Sequence, residues 1–282
     1  MFDRLRYFVA VVDAGTFSAG ARRAGISQPA LTAAIAKLED EVSARLFVRG
    51  HSGVSLTAEG AALLPRARAA LAAVEDGRRA VREIAGLEAG EVRIGGGATA
   101  CMYFLPPVLA EFRKAHPKVR LTLREGTSEG LLSALESGAL DLAITTTDRG
   151  DPWFEDDLVL VRAPSLDPKD APFVTFPVGG STREMLELHF PGVPIAMEIG
   201  SIAAIVAHAS EGIGVALVSR HAVKREIAEK KLVRIPDSRT PIPRRFHVVH
   251  HGVERLPPAA AALRELLLSP RAVRAVRRGL DT

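Results

Sequence analysis

Apolar positions come first in threes and fours. Leu5, Phe8, Val9 and Val12 share one face of a helical period, predicting a first amphipathic helix that Gly15 can end by adopting positive φ. Thr16 is placed to cap a second, short helix over Phe17–Ala24. Gly25-Ile26-Ser27 then makes a tight turn in which Ser27 caps a third helix and Pro29 occupies its first turn, where a missing N–H costs nothing. In that third helix Leu31, Ile35 and Leu38 point inward, leaving Gln28, Pro29, Thr32, Ala33, Ala36 and Lys37 on a small, flat outer face. Leu46-Phe47-Val48 and Val54-Ser55-Leu56 flank Arg49-Gly50-His51-Ser52-Gly53, the pattern of a β-hairpin with a basic tip.

Helix, helix, turn, helix and hairpin is the order of a winged helix-turn-helix, assigned to residues 1–58. From 59 to 88 a continuous helix is expected. Leu64, Ala67, Leu71, Val74 and Val81 form a stripe that one copy cannot bury, so the helix calls for a partner helix. Pro65 is a candidate kink. After Gly90 the rhythm changes to strands at Val92–Ile94, Val119–Leu123 and Leu140–Ile144, alternating with helices at Leu105–Ala115 and Glu129–Ser137. It repeats with a helix near Arg183–His189, a strand at Ile195–Ile199, a helix at Ile202–Ser210 and a strand at Ile213–Val218. Two α/β halves over residues 89–269 imply a cleft between lobes, followed by a basic tail at 270–282.

Composition narrows the choices. The 282 residues suit one small and one larger domain, and 47% hydrophobic with 25% charged is the balance of a globular protein. No apolar run approaches membrane-spanning length, so no membrane partner is expected. Cys101 is the only cysteine, which excludes an intrachain disulfide and a Cys-rich zinc site and fits a cytoplasmic protein. The net charge of +4 permits nucleic-acid binding without establishing it, because residues 1–60 hold seven basic against six acidic side chains.

The motifs carry more. Thr16-Phe17-Ser18-Ala19-Gly20-Ala21, Ile26-Ser27-Gln28-Pro29-Ala30-Leu31-Thr32, Leu38-Glu39, Leu46-Phe47-Val48-Arg49 and Leu56-Thr57-Ala58-Glu59-Gly60 resemble the DNA-binding signature of LysR-type transcriptional regulators. Gly126-Thr127-Ser128, Gly138–Ile144 and Glu211–Leu217 are similar to that family's effector-binding domain, which has the two-lobed fold of periplasmic binding proteins. The resemblance implies a regulator without cofactor or catalytic residues. Its implied partners are double-stranded DNA at an interrupted palindromic operator, a small-molecule effector, further copies in a homodimer or homotetramer, and RNA polymerase.

On this reading the DNA-binding residues are Thr16, Ser18, Ser27, Gln28, Pro29, Ala30, Thr32, Ala33, Lys37, Arg49 and His51. Gln28 can bond adenine bidentately, Pro29, Ala33 and the Thr32 methyl can touch thymine methyls, and the wing residues serve phosphate or the minor groove. Family members often carry arginine or another large polar residue where Ala33 and Ala34 stand here, which shifts specificity toward methyl contacts, the wing and DNA shape. The ligand-binding residues are Ala98, Thr99, Thr127, Ser128, Ser201 and Ile202, at helix starts whose N–H groups and hydroxyls suit a small, anionic metabolite. A constitutive or architectural DNA-binding protein with a vestigial cleft, and an α/β enzyme with a DNA-binding appendage, are the alternatives.

Gly95-Gly96-Gly97 lacks the third glycine of a dinucleotide fingerprint, Ala100 standing there. Cys101, early in a helix, invites a lowered thiol pKa, but no second cysteine exists to resolve an oxidised form. His247, His250 and His251 suggest a metal, yet alternation along a strand would turn His250 away from the others and leave a surface cluster. No G-x-S-x-G or H-E-x-x-H motif supports hydrolysis.

Overall fold

The structure is a computed structural model describing residues 1–50, 53–84 and 90–281. It contains two compact units, one over Met1–Ala85 with Glu136–Ala139 and the other over Gly86–Leu135 and Leu140–Thr282.

In the first unit, helices α1 (Phe2–Ala14), α2 (Phe17–Ala24) and α3 (Gln28–Glu41) precede strands β1 (Phe47–Gly50) and β2 (Gly53–Leu56), and α4 (Ala58–Ile84) follows. Gly15 ends α1 at φ 71, the left-handed conformation its position demands. Phe8, Val11, Leu31, Ile35, Leu38 and Leu46 close the core, each worth about 1.5–3 kcal/mol of apolar burial. The hairpin is antiparallel, with Phe47 opposite Leu56 and Arg49 opposite Val54. Ala67 joins this core, whereas Val74 and Val81 further along α4 are 40% and 67% exposed. The expected end of this helix at 88 falls outside the described residues.

The second unit opens with β3 (Glu91–Gly96), then a π-helical turn over Ala100–Phe104 running into α5 (Leu105–Ala115). Next come β4 (Arg120–Glu125), α6 (Ser128–Glu136), β5 (Leu142–Thr145), β6 (Asp151–Arg162), β7 (Phe173–Thr175), α7 (Ser181–His189) and β8 (Ile195–Glu198). The chain continues through α8 (Ile202–Ser210), β9 (Ala216–Ser219), α9 (Lys224–Ala228), β10 (Val233–Arg234), β11 (Ile242–Val249), α10 (Pro258–Leu268) and α11 (Pro270–Asp281). Strands β3, β4 and β5 pair in parallel, as the alternating rhythm implies.

Two long antiparallel strands, β6 and β11, which the alternating rhythm does not include, join the lobes. Trp153 and Phe154 at the start of β6 pack in the first lobe's core, while Val159 and Val161 near its end pack in the second lobe's. Likewise Ile242 of β11 belongs to the second lobe and Phe246 and Val248 to the first. The strand β9 pairs antiparallel with β6, so the second half does not simply repeat the first, although β7 and β8 are parallel.

Two expectations change on this fold. Residues 270–281 form α11, whose Ala272 and Val276 are fully buried in the first lobe's core, so the compact unit extends past 269. The strand β11 ends at Val249, before His250 and His251, so alternation does not govern the three histidines, nor do they form a surface cluster. His247 is buried, His250 Nε2 lies 3.2 Å from Asp151, and His251 Nε2 lies 2.6 Å from the Leu135 carbonyl. Among the described residues no group of acidic, histidine or cysteine side chains is arranged for a metal ion. Burial, and then the charge of Glu125, push the Cys101 thiol up to about 12, the opposite of a helix-activated thiolate. Its Sγ donates to the Gly96 carbonyl at 3.3 Å.

Candidate functional sites: an exposed helix face and an interlobe cleft

The first site is the outer face of α3. Thr16 Oγ1 accepts the Ala19 N–H at 3.1 Å and Ser27 Oγ accepts that of Ala30 at 3.4 Å, so both hydroxyls act as helix caps. Between the two helix starts Ser18 Oγ donates to Gln28 Oε1 at 2.7 Å, holding the amide in place. Gln28, Pro29, Ala30, Ala33 and Lys37 are exposed and Thr32 is half-buried. This is a shallow face presenting one oriented amide, small apolar groups and a cation.

The hairpin beside it is pinned at its base. Glu39, buried in α3, accepts the Leu46 N–H at 2.8 Å and the Arg45 guanidinium at 2.7 Å. Burial would raise its pKa, but these bonds outweigh it and hold the carboxyl below its ordinary value. Thr57 Oγ1 donates to the Arg45 carbonyl at 2.7 Å and accepts the Gly60 N–H at 3.0 Å. A side chain at Gly60 would place its Cβ 2.2 Å from the Leu46 carbonyl oxygen, so α4 can pass only with glycine there. Arg49 stands in β1, and His51 lies outside the described residues.

The second site is a cavity of about 270 Å³ within the second unit. Three helix starts line it, at Ala98–Thr99 before the π turn, at Thr127–Ser128 before α6 and at Ser181–Thr182 of α7. First-turn N–H groups have no acceptor within their own helix, which makes such a wall rich in donors. Ala98, Thr99, Thr127 and Ser128 are thus brought together. Ser201 and Ile202 are not. Ser201 caps α8 by accepting the Ala204 N–H at 3.4 Å, its neighbour Gly200 reaches the wall, and Ile202 is core.

Sequence reasoning missed the residue at the centre of this wall. Arg244 of β11 is buried, donating through Nε and Nη2 to Asp156 Oδ2 at 2.9 and 2.8 Å. Its Nη1 donates to Thr182 Oγ1 at 3.0 Å and its Nη2 to Thr99 Oγ1 at 2.9 Å, one hydroxyl from each lobe. Burial pushes its pKa down, with Asp156 opposing. Ser219 Oγ completes the cluster by donating to Asp156 Oδ1 at 2.9 Å. Period-two alternation of Ile242, Arg244, Phe246 and Val248 was the available signal, but an arginine in an inward slot reads as a surface residue.

Comparison with known proteins settles what carries these sites. Residues 2–61 match the family model described as bacterial regulatory helix-turn-helix protein, lysR family, and residues 85–270 match the LysR substrate binding domain. The chain belongs to the LysR family of transcriptional regulators. Among LysR-family relatives it is 30% identical to the HTH-type transcriptional regulator CfxR of Cupriavidus necator, covering 94% of this chain and 90% of that one. It is 29% identical to CbbR of Xanthobacter flavus, covering 94% and 86%. The fold is that of full-length LysR-family structures. ArgP from Mycobacterium tuberculosis aligns with a TM-score of 0.69 at 20% identity, covering 92% of this chain and 96% of that one. CbnR complexed with its target DNA aligns with a TM-score of 0.64 at 23% identity, covering 99% of each. As a LysR-family member the protein is a DNA-binding transcriptional regulator with an effector-binding domain of periplasmic-binding-protein type, and the α3 face and the interlobe cavity lie in the matched segments. No helix among the described residues is long and apolar enough to cross a membrane.

Proposed function

We propose that this regulator is switched by a small, anionic metabolite, most simply a carboxylate, seated in the interlobe cavity. The observation that carries the reading is the meeting of three helix starts around one cavity, where unpaired N–H groups and the hydroxyls of Thr99, Thr127 and Ser128 supply donors for a carboxylate. Arg244 bonds Thr99 and Thr182 from opposite lobes, so a ligand that competes for either hydroxyl biases the lobes' arrangement. LysG from Corynebacterium glutamicum, which shares the fold at a TM-score of 0.67, carries bound arginine as effector, a precedent for a small metabolite.

DNA is read by Gln28, Pro29, Ala30, Thr32 and Ala33, with Ser18 orienting Gln28, the Thr16 and Ser27 hydroxyls capping the two helices beside it, Lys37 toward phosphate, and Arg49 and His51 serving phosphate or the minor groove. The half-exposed stripe of α4, with Leu71, Val74 and Val81, pairs with a second copy, giving a homodimer or tetramer on an interrupted palindrome. The protein works in the cytoplasm beside RNA polymerase, as a regulator and not an enzyme.

Promoter footprinting with and without a panel of small carboxylic acids tests this, followed by calorimetry on the full chain. The acid that changes the footprint should bind Thr99→Val and Ser128→Ala more weakly, by about 0.5–3 kcal/mol. Both folded variants binding it like the wild type would move the site elsewhere. A panel in which no acid binds would favour constitutive DNA binding.

A further inference from the structure

A larger cavity, of about 620 Å³, lies against β6 and β11 and shares only Arg244 with the cleft. Four arginines line it, Arg220, Arg244, Arg245 and Arg277, with four carboxylates, Asp148, Glu155, Asp156 and Asp157. Three pairs close on themselves. Arg244 meets Asp156 at 2.8 Å, Arg220 meets Asp157 at 2.9 Å, and Arg245 meets Glu155. Arg277 of α11 and Asp148 of the loop after β5 remain, both exposed and neither ion-paired among the described residues. The wall thus offers one cation and one anion left over, with no excess of either sign.

The apolar part of the lining is the largely buried ring of Phe154 and the exposed Pro243, with His221 also in the wall. A neighbouring cavity of about 230 Å³ shares Phe154, Glu155, Arg245 and Arg277 with the first and adds Trp153 to the wall. Trp153 is 7% exposed, and its indole N–H is buried without an acceptor among the described residues.

We propose that this trough is a second ligand site, separate from the cleft, for a zwitterion with an apolar side chain, that is, a free hydrophobic amino acid. Its carboxylate meets Arg277, its ammonium meets Asp148, and its side chain lies on Phe154 and Pro243, beside the neighbouring cavity that Trp153 lines. A simple anion or cation satisfies only one of the two charges and leaves the other exposed.

The chain has a single tryptophan, so Trp153 emission in the full-length protein reports on this wall. L-Phenylalanine and L-leucine should each give a saturable change in that emission at millimolar concentration or below. 3-Phenylpropionate, lacking the ammonium, and 2-phenylethylamine, lacking the carboxylate, should each bind at least about tenfold more weakly, as loss of one charge-assisted contact implies. Asp148→Asn and Arg277→Gln, both at exposed positions, should weaken phenylalanine binding by a similar factor, while the cleft variant Ser128→Ala leaves it unchanged. The proposal is overturned if neither amino acid gives a saturable change, or if phenylpropionate binds as well as phenylalanine. It is equally overturned if Ser128→Ala abolishes the response and Asp148→Asn does not, since the ligand would then sit in the cleft.

Discussion

The DNA-facing unit and the sensing unit are built on opposite principles of distance. On the α3 face, the residues that orient one another are near in sequence, Ser18 and Gln28 ten apart, Glu39 and Leu46 seven apart. In the cleft, Arg244 reaches Thr182, Asp156 and Thr99 across 62, 88 and 145 positions. A short-range site is specified by caps and turns, and it tolerates the loss of one member because each bond is local and partly solvated. A long-range site exists only when the whole sheet is closed, so its central group carries the fold as well as the ligand wall.

The sharpest way to break that comparison is Arg244→Met. Removing one partner leaves Asp156 charged and buried, a loss of about 3–5 kcal/mol that should appear as early unfolding of the Trp153-containing unit in denaturant. Arg244→Met with Asp156→Leu should recover much of that stability, and a double variant as unstable as the single would show that packing, and not the orphaned charge, was at stake. Gln28→Ala should be gentler on the fold and specific in effect. It should cost about 1–3 kcal/mol on operator DNA with little change on random DNA, measured by anisotropy. Equal losses on both would remove Gln28 from base recognition. Ser18→Ala should cost less, about 0.5–1.5 kcal/mol, and almost nothing in a Gln28→Ala background, because its role runs through that amide.

The smallest effect is a pH dependence. The Glu39 carboxyl titrates below its ordinary value of 4.5 in the folded chain, so its contribution is full above the unfolded value and is lost as pH falls through the folded one. Acid melts of the first unit should therefore lose stability below about pH 4.5 more steeply in the wild type than in Glu39→Gln. Parallel curves would mean that the wing is anchored without that charge.

The same contrast explains what could be read in advance. Helices α1, α2, α3 and α8 have apolar stripes and a cap within one turn of an end, α5 has a stripe and prolines in its first turn, and each lies where the pattern puts it. Strand β6 was hidden because Asp151, Glu155, Asp156 and Asp157 make its first half look like a loop, although Trp153, Phe154 and Leu158 are buried. In the cleft, Thr127 and Ser128 were legible as a helix start. Ser201 and Ser181 are both serines at a helix start, and only topology reveals that α7, not α8, brings its serine to the wall. No local signal ranks one above the other.

Arg244 and Arg245 stand side by side, chemically identical, yet one is a buried pillar and the other an exposed partner of Glu155. Parity alone assigns their fates, since neighbouring residues on a strand face opposite ways. The pairing of β11 with β6 shifts register between Phe246 and His247, directly after this pair. Deleting Pro243 with Ile242 held in place would slide Arg245, of the same chemistry, into the inward slot of Arg244, yet turn Phe246 out of the first lobe's core. Such a chain would keep its cleft charge and lose its lobe contact. In this segment spacing, more than residue identity, is the inherited quantity, so a one-residue gap here should be far less tolerated than an exchange of Arg245 for lysine.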